Sequence, residues 1–385
     1  MDTHKFIIDS IRKIFNSKDN IPLNEPKLKG NEQRYVADAI SLSNVASQGK
    51  YIKKFEAKLC EITGAKFAVC TSSGTSALHI ALLVAGVKNK DEVLTQSLSF
   101  VATANAISYC GALPNFMDVD MDSLGMSPEY LRNYLQQNTI QQNGFCFNKN
   151  TGNKISACMP MHTFGNPLQI DEVVAICNEY HIPVIEDAAQ ALGSFYKDKH
   201  VGTYGKLGVF SFNGNKIVTS GGGGCVVTND EQLAKRIRFL INQAKQNYVG
   251  TYIHTEVGYN YKMPNLNAAL GLGQLEQLHD FIFQKTALHK KYAALFKEIN
   301  TVHLIASIEN AKTNNWMQTI LFDDSPQRDN FLKFTHQNNI QTQAVWKPLH
   351  QLPMFKNLQQ NNLNNTEYLS TRLVSLPSNN YSFNE

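Results

Sequence analysis

Between residues 66 and 185 the chain changes its hydrophobic period repeatedly, and this alternation narrows the possible folds more than any other feature. Apolar runs at 66–70, 92–95, 114–119, 155–161 and 182–185 have the length of strands. The segments between them, 75–84, 101–110, 127–137 and 170–180, carry apolar residues at helical spacing. Strands that alternate with helices predict an α/β domain built on a mostly parallel sheet. In such sheets ligands bind beyond the carboxyl ends of the strands. Ser72, His162 and Asp187 each stand just past an apolar run, so all three are expected along one edge.

The flanking regions read differently. Ile7, Ile11, Ile14 and Phe15 predict a short amphipathic helix over 4–16, followed by a linker with two prolines over 17–30. Helical patterns follow at 32–42 and 51–63. After the alternating region, 207–212 and 224–228 read as a pair of strands and 231–242 as a helix. Pro264 opens a helical stretch reaching about 299, long enough to link two domains. The remainder reads as a small α+β domain: strand 317–322, helix 326–336, strand 340–346 and helix 366–374.

Composition bounds the function classes. The 385 residues hold 36 basic and 32 acidic side chains, a net charge of +4 without blocks of like charge, which argues against nucleic acid or a membrane surface as partner. No apolar run is long enough to span a bilayer. The N-terminus lacks the layout of a signal peptide. Seven cysteines, with no CxxC pair, suit reduced thiols rather than a disulfide framework or a metal site. These features together predict a cytoplasmic protein with no resident metal.

The chemistry-bearing residues fall in a fixed order. Thr71-Ser-Ser-Gly74-Thr75-Ser76 opens a helix directly after a strand. Backbone N–H groups and hydroxyls there make an anion site, and the same residue types also make an ordinary helix cap. Phe100, in Ser97-Leu-Ser-Phe-Val-Ala-Thr-Ala-Asn105, offers an aromatic face, or a core side chain. In Ile185-Glu186-Asp187-Ala-Ala-Gln190 successive strand residues face opposite ways, so only one of Glu186 and Asp187 can point into a shared site. Ser211-Phe-Asn-Gly-Asn-Lys216 and Gly221–Gly224 place a lysine on a tight turn. Alone, such a lysine is a solvated loop residue. With a carboxylate at a strand end and an anion site upstream, it meets the needs of pyridoxal 5'-phosphate: an amine for the Schiff base and a partner for the pyridinium nitrogen. Gly258-Tyr-Asn260-Tyr-Lys262 is rich in Tyr and Asn for plain core, and Asn260 is a further polar candidate. His162, Lys262 and His350 are candidates for the substrate side, as are His254 and Trp346.

In this order the motifs resemble the DegT/DnrJ/EryC1/StrS sugar aminotransferases. Gly30-Asn-Glu32, Val45-Ala-Ser-Gln-Gly-Lys-Tyr51, Met161-His-Thr-Phe-Gly165 and Asn213-Gly-Asn215 are similar to the subgroup that aminates C4 of UDP-4-keto-6-deoxy-N-acetylhexosamines in bacillosamine and legionaminic acid pathways. The resemblance implies fold type I: a large domain over 26–272 with a sheet of the seven-stranded type, a small domain over 273–385, and an N-terminal helix and linker over 1–25. It implies Lys216 as Schiff-base lysine and proton carrier, Asp187 on the pyridinium and Gln190 on the ring hydroxyl. Phe100 would stack on the ring, with Gly74, Thr75, Ser76 and Ser211 on the phosphate. Asn260 would reach the phosphate of a neighbouring subunit, which implies a homodimer with shared sites. L-Glutamate would be the amino donor and a nucleotide-linked keto sugar the acceptor. Gly222 and Lys262 stand where the family often has an acid and an arginine. GDP-4-keto-6-deoxymannose, dTDP-keto sugars and amination at C3 are alternatives for the acceptor. A sugar dehydratase of the family would carry histidine at Lys216, a regulator would bring a DNA-binding module, and a nucleotide-binding protein without the cofactor would show GxGxxG after a strand. None of these signs is present.

Overall fold

A computed structural model describes residues 3–359 and 361–380. The alternating region forms the expected sheet. Its strands are β1 (Phe67–Thr71), β2 (Glu92–Gln96), β3 (Leu113–Met117), β4 (Lys154–Met159), β5 (Ile185–Asp187), β6 (Leu207–Ser211) and β7 (Gly224–Thr228). Parallel pairing joins β3 to β2, β2 to β4 and β5 to β6. Two parallel bridges, Cys158 with Val184 and Met161 with Asp187, tie β4 to β5. The row therefore runs β3-β2-β4-β5-β6-β7-β1, and β7 is antiparallel to both its neighbours. Every side chain in β2, β5 and β7 is buried, as expected of strands covered on both faces.

Twelve α-helices are described: α1 (Thr3–Phe15), α2 (Glu32–Ser41), α3 (Lys50–Thr63), α4 (Gly74–Ala85), α5 (Val101–Tyr109), α6 (Pro128–Asn138), α7 (Ile170–Glu179), α8 (Glu231–Leu240), α9 (Asn265–Leu275), α10 (Leu278–Phe296), α11 (Ser325–Gln337) and α12 (Asn364–Ser370). The strand-to-helix crossovers set the site. The carboxyl ends of β1, β2, β5 and β6 deliver Ser73, Phe100, Asp187 and Ser211 to one edge of the sheet. Next to them, β6 and β7 form a hairpin whose loop is closed by Phe212 N–H on the Gly223 carbonyl and Ser220 N–H on the Phe212 carbonyl. Lys216 lies in that loop.

A second sheet is antiparallel throughout: β8 (Val302–Leu304), β9 (Gln318–Phe322), β10 (Gln343–Ala344) and β11 (Leu373–Leu376), in the order β8-β9-β11-β10. Ile7, Ile8 and Ile11 of α1 pack with Leu288, Tyr292, Phe322, Phe331 and Ile340 in the core beside this sheet. Ile21 bridges Ile340, and the chain then passes Pro22–Glu25 along the mouth of the site.

Three expectations change here. The helix expected at 366–374 ends at Ser370, and Leu373–Leu376 becomes a central strand of the small sheet. The strand expected at 340–346 shrinks to Gln343–Ala344. The long helical stretch after Pro264 is two helices, parted at Glu276 and Gln277. No glycine or proline marks that break. Glu276 instead accepts hydrogen bonds from Asn31 and Tyr35, and Gln277 donates to Glu32, so α2 fixes the corner.

Candidate active site

A cavity of about 470 Å³ opens at the carboxyl edge of the large sheet. Gly74, Thr75, Phe100, Asp187, Gln190, Ser211 and Lys216 all line it, together with Trp346. These residues come from β-ends and loops spread over more than half the chain.

The helix start is built by Ser73. Its hydroxyl accepts the Ser76 N–H at 3.0 Å, and Ser76 Oγ accepts the Ser73 N–H at 3.0 Å, a reciprocal capping box. Ser76 is thereby committed to the cap, and its hydroxyl donates to the Ser73 carbonyl at 2.8 Å. The Thr75 and Ser211 hydroxyls line the cavity and make no hydrogen bond to other described residues. Gly74 has room for nothing larger, because a Cβ there would meet the Ser211 Cβ at 2.8 Å. The helix N-terminus and the end of β6 thus close on each other, presenting N–H groups and hydroxyls to one point. This arrangement favours an anion.

The strand β5 resolves the choice between Glu186 and Asp187. Glu186 turns away and accepts the N–H groups of Gly202, Tyr204 and Gly205 at 2.6, 2.6 and 2.7 Å. It also takes His162 Nε2–H at 3.1 Å, since His162 Nδ1 already accepts the Leu168 N–H. His162 is therefore fully buried behind the sheet edge. Asp187 faces the cavity. Thr103 donates to its Oδ2 at 2.8 Å, and the Ala189 N–H to its Oδ1 at 3.2 Å. Burial raises its pKa above the ordinary carboxylate range, opposed by those two donors and by Lys216.

Lys216 meets Asp187 across this space. Burial lowers its pKa to about 8, with Asp187 pulling the other way. The Lys216 Nζ lies 4.4 Å from the centroid of the Trp316 ring, which covers it. Gln190 is held by its Oε1, which accepts the Phe164 N–H at 2.7 Å. Phe164 takes a left-handed φ of 57° to make that bond, a strained conformation for an aromatic residue. Its ring packs against Trp346 at a tilt of 35° with centroids 5.0 Å apart, and Phe100 meets Trp346 edge-on at 6.0 Å. Phe100 itself is 48% exposed, as a wall residue is.

Other candidates lie elsewhere. His350 is buried between Ser97 and Glu367. Lys262 bridges Thr71 and lines a separate pocket with Lys50, Glu56 and Arg238. Asn260 is exposed beside Asn242, and His254 sits in an exposed hairpin with Thr251–His254 as one strand. Two site residues were missed by sequence reasoning. Thr103 lay within the 97–105 motif, and Trp316 followed the pair Asn314-Asn315, a signal in itself because the chain has only two tryptophans.

A cofactor that combines a phosphate, a basic ring nitrogen and an aldehyde fits this set. Hydroxyls without a partner among the described residues stand at the helix start and the end of β6, a buried carboxylate is held by two donors, and an amine of lowered proton affinity lines the same cavity. Comparisons with known proteins agree. The profile of the DegT/DnrJ/EryC1/StrS aminotransferase family matches residues 26–382. EpsN of Bacillus subtilis (strain 168), whose naming as a pyridoxal phosphate-dependent aminotransferase is itself provisional, is 37% identical over 335 residues, covering 87% of this chain and 84% of EpsN. GDP-perosamine synthase of Escherichia coli O157:H7 is 36% identical over 358 residues, covering 93% of each chain. The structure of Helicobacter pylori PseC, an aminotransferase involved in the biosynthesis of pseudoaminic acid, superposes with a TM-score of 0.84 at 25% identity, covering 93% of this chain and 94% of PseC. The chain belongs to the DegT/DnrJ/EryC1/StrS aminotransferase family and is a pyridoxal phosphate-dependent sugar-nucleotide aminotransferase.

Proposed function

We propose that the protein transfers the amino group of L-glutamate to C4 of a nucleotide-linked 4-keto-6-deoxy sugar, with Lys216 as the proton carrier. The observation that carries this reading is the placement of Lys216 Nζ: in the cavity, beneath Trp316, facing Asp187, with a pKa of about 8. An amine so tuned accepts and returns a proton near neutral pH. When bound, pyridoxal phosphate supplies the electron sink that makes the donor's α-proton removable.

The chain's own residues do the rest. Thr75, Ser211 and the first-turn N–H groups at Gly74 and Thr75 bind the phosphate. Asp187, kept in place by Thr103, holds the ring nitrogen, and the amide of Gln190 turns to the ring hydroxyl. Phe100 forms one wall. Trp316 excludes water from Lys216. Asn260, exposed and not among the residues lining this cavity, serves the phosphate of a second copy, which makes the working unit a homodimer.

For the acceptor, the motif likeness at 30–32, 45–51, 161–165 and 213–215 favours UDP-4-keto-6-deoxy-N-acetylglucosamine. The relationship to a GDP-perosamine synthase supports a second reading, GDP-4-keto-6-deoxymannose. Both place the new amine at C4. The test is direct: purified protein, cofactor and L-glutamate are incubated with each keto sugar, and the amino sugar is identified by mass spectrometry and NMR. A C4-amino product from the UDP sugar supports the first reading, and one from the GDP sugar alone the second. A C3-amino product, or full turnover by Lys216→Ala, would overturn the proposal.

A further inference from the structure

Lys285 of α10 is 1% exposed and has no carboxylate partner among the described residues. Its ammonium donates to Asn24 Oδ1 at 3.2 Å, to the Trp316 carbonyl at 3.1 Å and to the Ser378 carbonyl. Those acceptors come from the segment before α2, the segment before β9 and the stretch after β11. Only a group with three N–H donors can satisfy all of them at once, and the ammonium is that group. A buried charge without a counter-ion is a poor device for stability, since desolvation opposes it.

Two of these partners, Asn24 and Trp316, converge on one atom. Asn24 Nδ2 donates to the Asn215 carbonyl at 2.7 Å, and Trp316 Nε1 donates to the same oxygen at 2.8 Å. Asn215 immediately precedes Lys216. The Trp316 ring in turn lies over the Lys216 amine. The path is therefore continuous from Lys285, through Asn24 and Trp316, to the backbone and side chain of Lys216. We infer that Lys285 is a positioning residue for the transamination: it fixes Trp316 and Asn24 so that the Lys216 loop and the ring above the amine hold one arrangement. This inference rests on Lys216 being the proton carrier.

The test uses both tryptophans, Trp316 and Trp346, which line the same cavity. In a Trp346→Phe background the emission reports Trp316 alone. Adding Lys285→Met, which keeps the length of the side chain and removes its donors, is expected to raise acrylamide quenching of Trp316 about threefold. Lys285→Met in the otherwise unaltered protein is expected to lower kcat at least tenfold with KM for L-glutamate within twofold. Unchanged quenching, or unchanged kcat, in a folded variant overturns the inference. Should Lys285→Met fail to fold, Asn24→Ala removes one arm of the network from a half-buried site. It is expected to lower kcat about threefold with the same constant KM, and an unaltered kcat overturns the inference as well. Lys216→Ala is the control. Activity in that variant would discard Lys216 as proton carrier, whereas the quenching measurement judges the anchoring of Trp316 independently.

Discussion

Lys216 and Asp187 lie in one buried space, and each is pushed toward its neutral form by loss of water. For the lysine the consequence is measurable. Its folded-state pKa of about 8 lies below the ordinary lysine value, so the reactive free amine appears as pH rises through 8 rather than above 10. Acylation of the apoprotein by a small neutral reagent, followed at Lys216 by mass spectrometry, should be half-maximal near pH 8. A midpoint above pH 10 would show that burial does not tune this amine. For Asp187 the controlling contact is the Thr103 hydroxyl at 2.8 Å. Thr103→Val keeps the shape and removes a bond to a charged group, worth about 1.5–3 kcal/mol, so the cofactor dissociation constant should rise ten- to a hundredfold. An unchanged constant, read by titration of the visible band, would place the ring nitrogen elsewhere. Asp187 was legible in the sequence only as one of a pair. The period of two said that Glu186 and Asp187 diverge, and the loop at 202–205, whose N–H groups collect on Glu186, decided which one faces inward.

Elements carry the site through close backbone approach. Gly224 begins β7 beside the start of α4, and a Cβ there would lie 2.3 Å from the Ser73 carbonyl oxygen and 2.7 Å from the Gly74 nitrogen. Backbone cannot yield as a side chain can. Gly224→Ala should therefore destabilise the protein by about 1–3 kcal/mol and weaken cofactor binding, because the strand and the helix start must separate. Gly214, in the same hairpin loop, has nothing within 4 Å of its missing Cβ and a negative φ. Gly214→Ala is the matched control and should leave thermal unfolding nearly unchanged. Equal effects from the two substitutions would refute the close-approach argument. The alternating strands and helices were legible because each is long enough to show its own period. Leu373–Leu376 was not: four residues following a seven-residue helix extend its apolar pattern, and only pairing with Gln318–Phe322 reveals a strand. The hairpin Lys245–Tyr248 with Thr251–His254 escaped for the opposite reason. Most of it is exposed, so no buried face imposes a pattern.

At the scale of the whole molecule, the cavity described above draws on the ends of the large sheet, the segment Pro22–Glu25, and Trp316 and Trp346 from the small-sheet region. Asn260 is the proposed site residue that this assembly leaves out, although it belongs to the motif Gly258-Tyr-Asn260-Tyr-Lys262. It is exposed, bridged only to Asn242, at the base of a hairpin that presents Tyr248, Val249, Tyr252 and Ile253 to solvent. Contiguous apolar exposure of that kind is characteristic of an interaction surface. If a second copy covers it, Asn260 of each subunit completes the phosphate site of the other, and catalysis becomes a property of the pair. Mixing two crippled variants then has a definite outcome. In a hybrid of Lys216→Ala with Asn260→Ala, one site combines both substitutions and is dead. The other takes intact Lys216 from one subunit and intact Asn260 from its partner. Unfolding and refolding the two variants together should restore activity well above that of either alone, up to the share of hybrids formed. With sites confined to single subunits, every site in the mixture carries one substitution, and the activity stays at the average of the two parents.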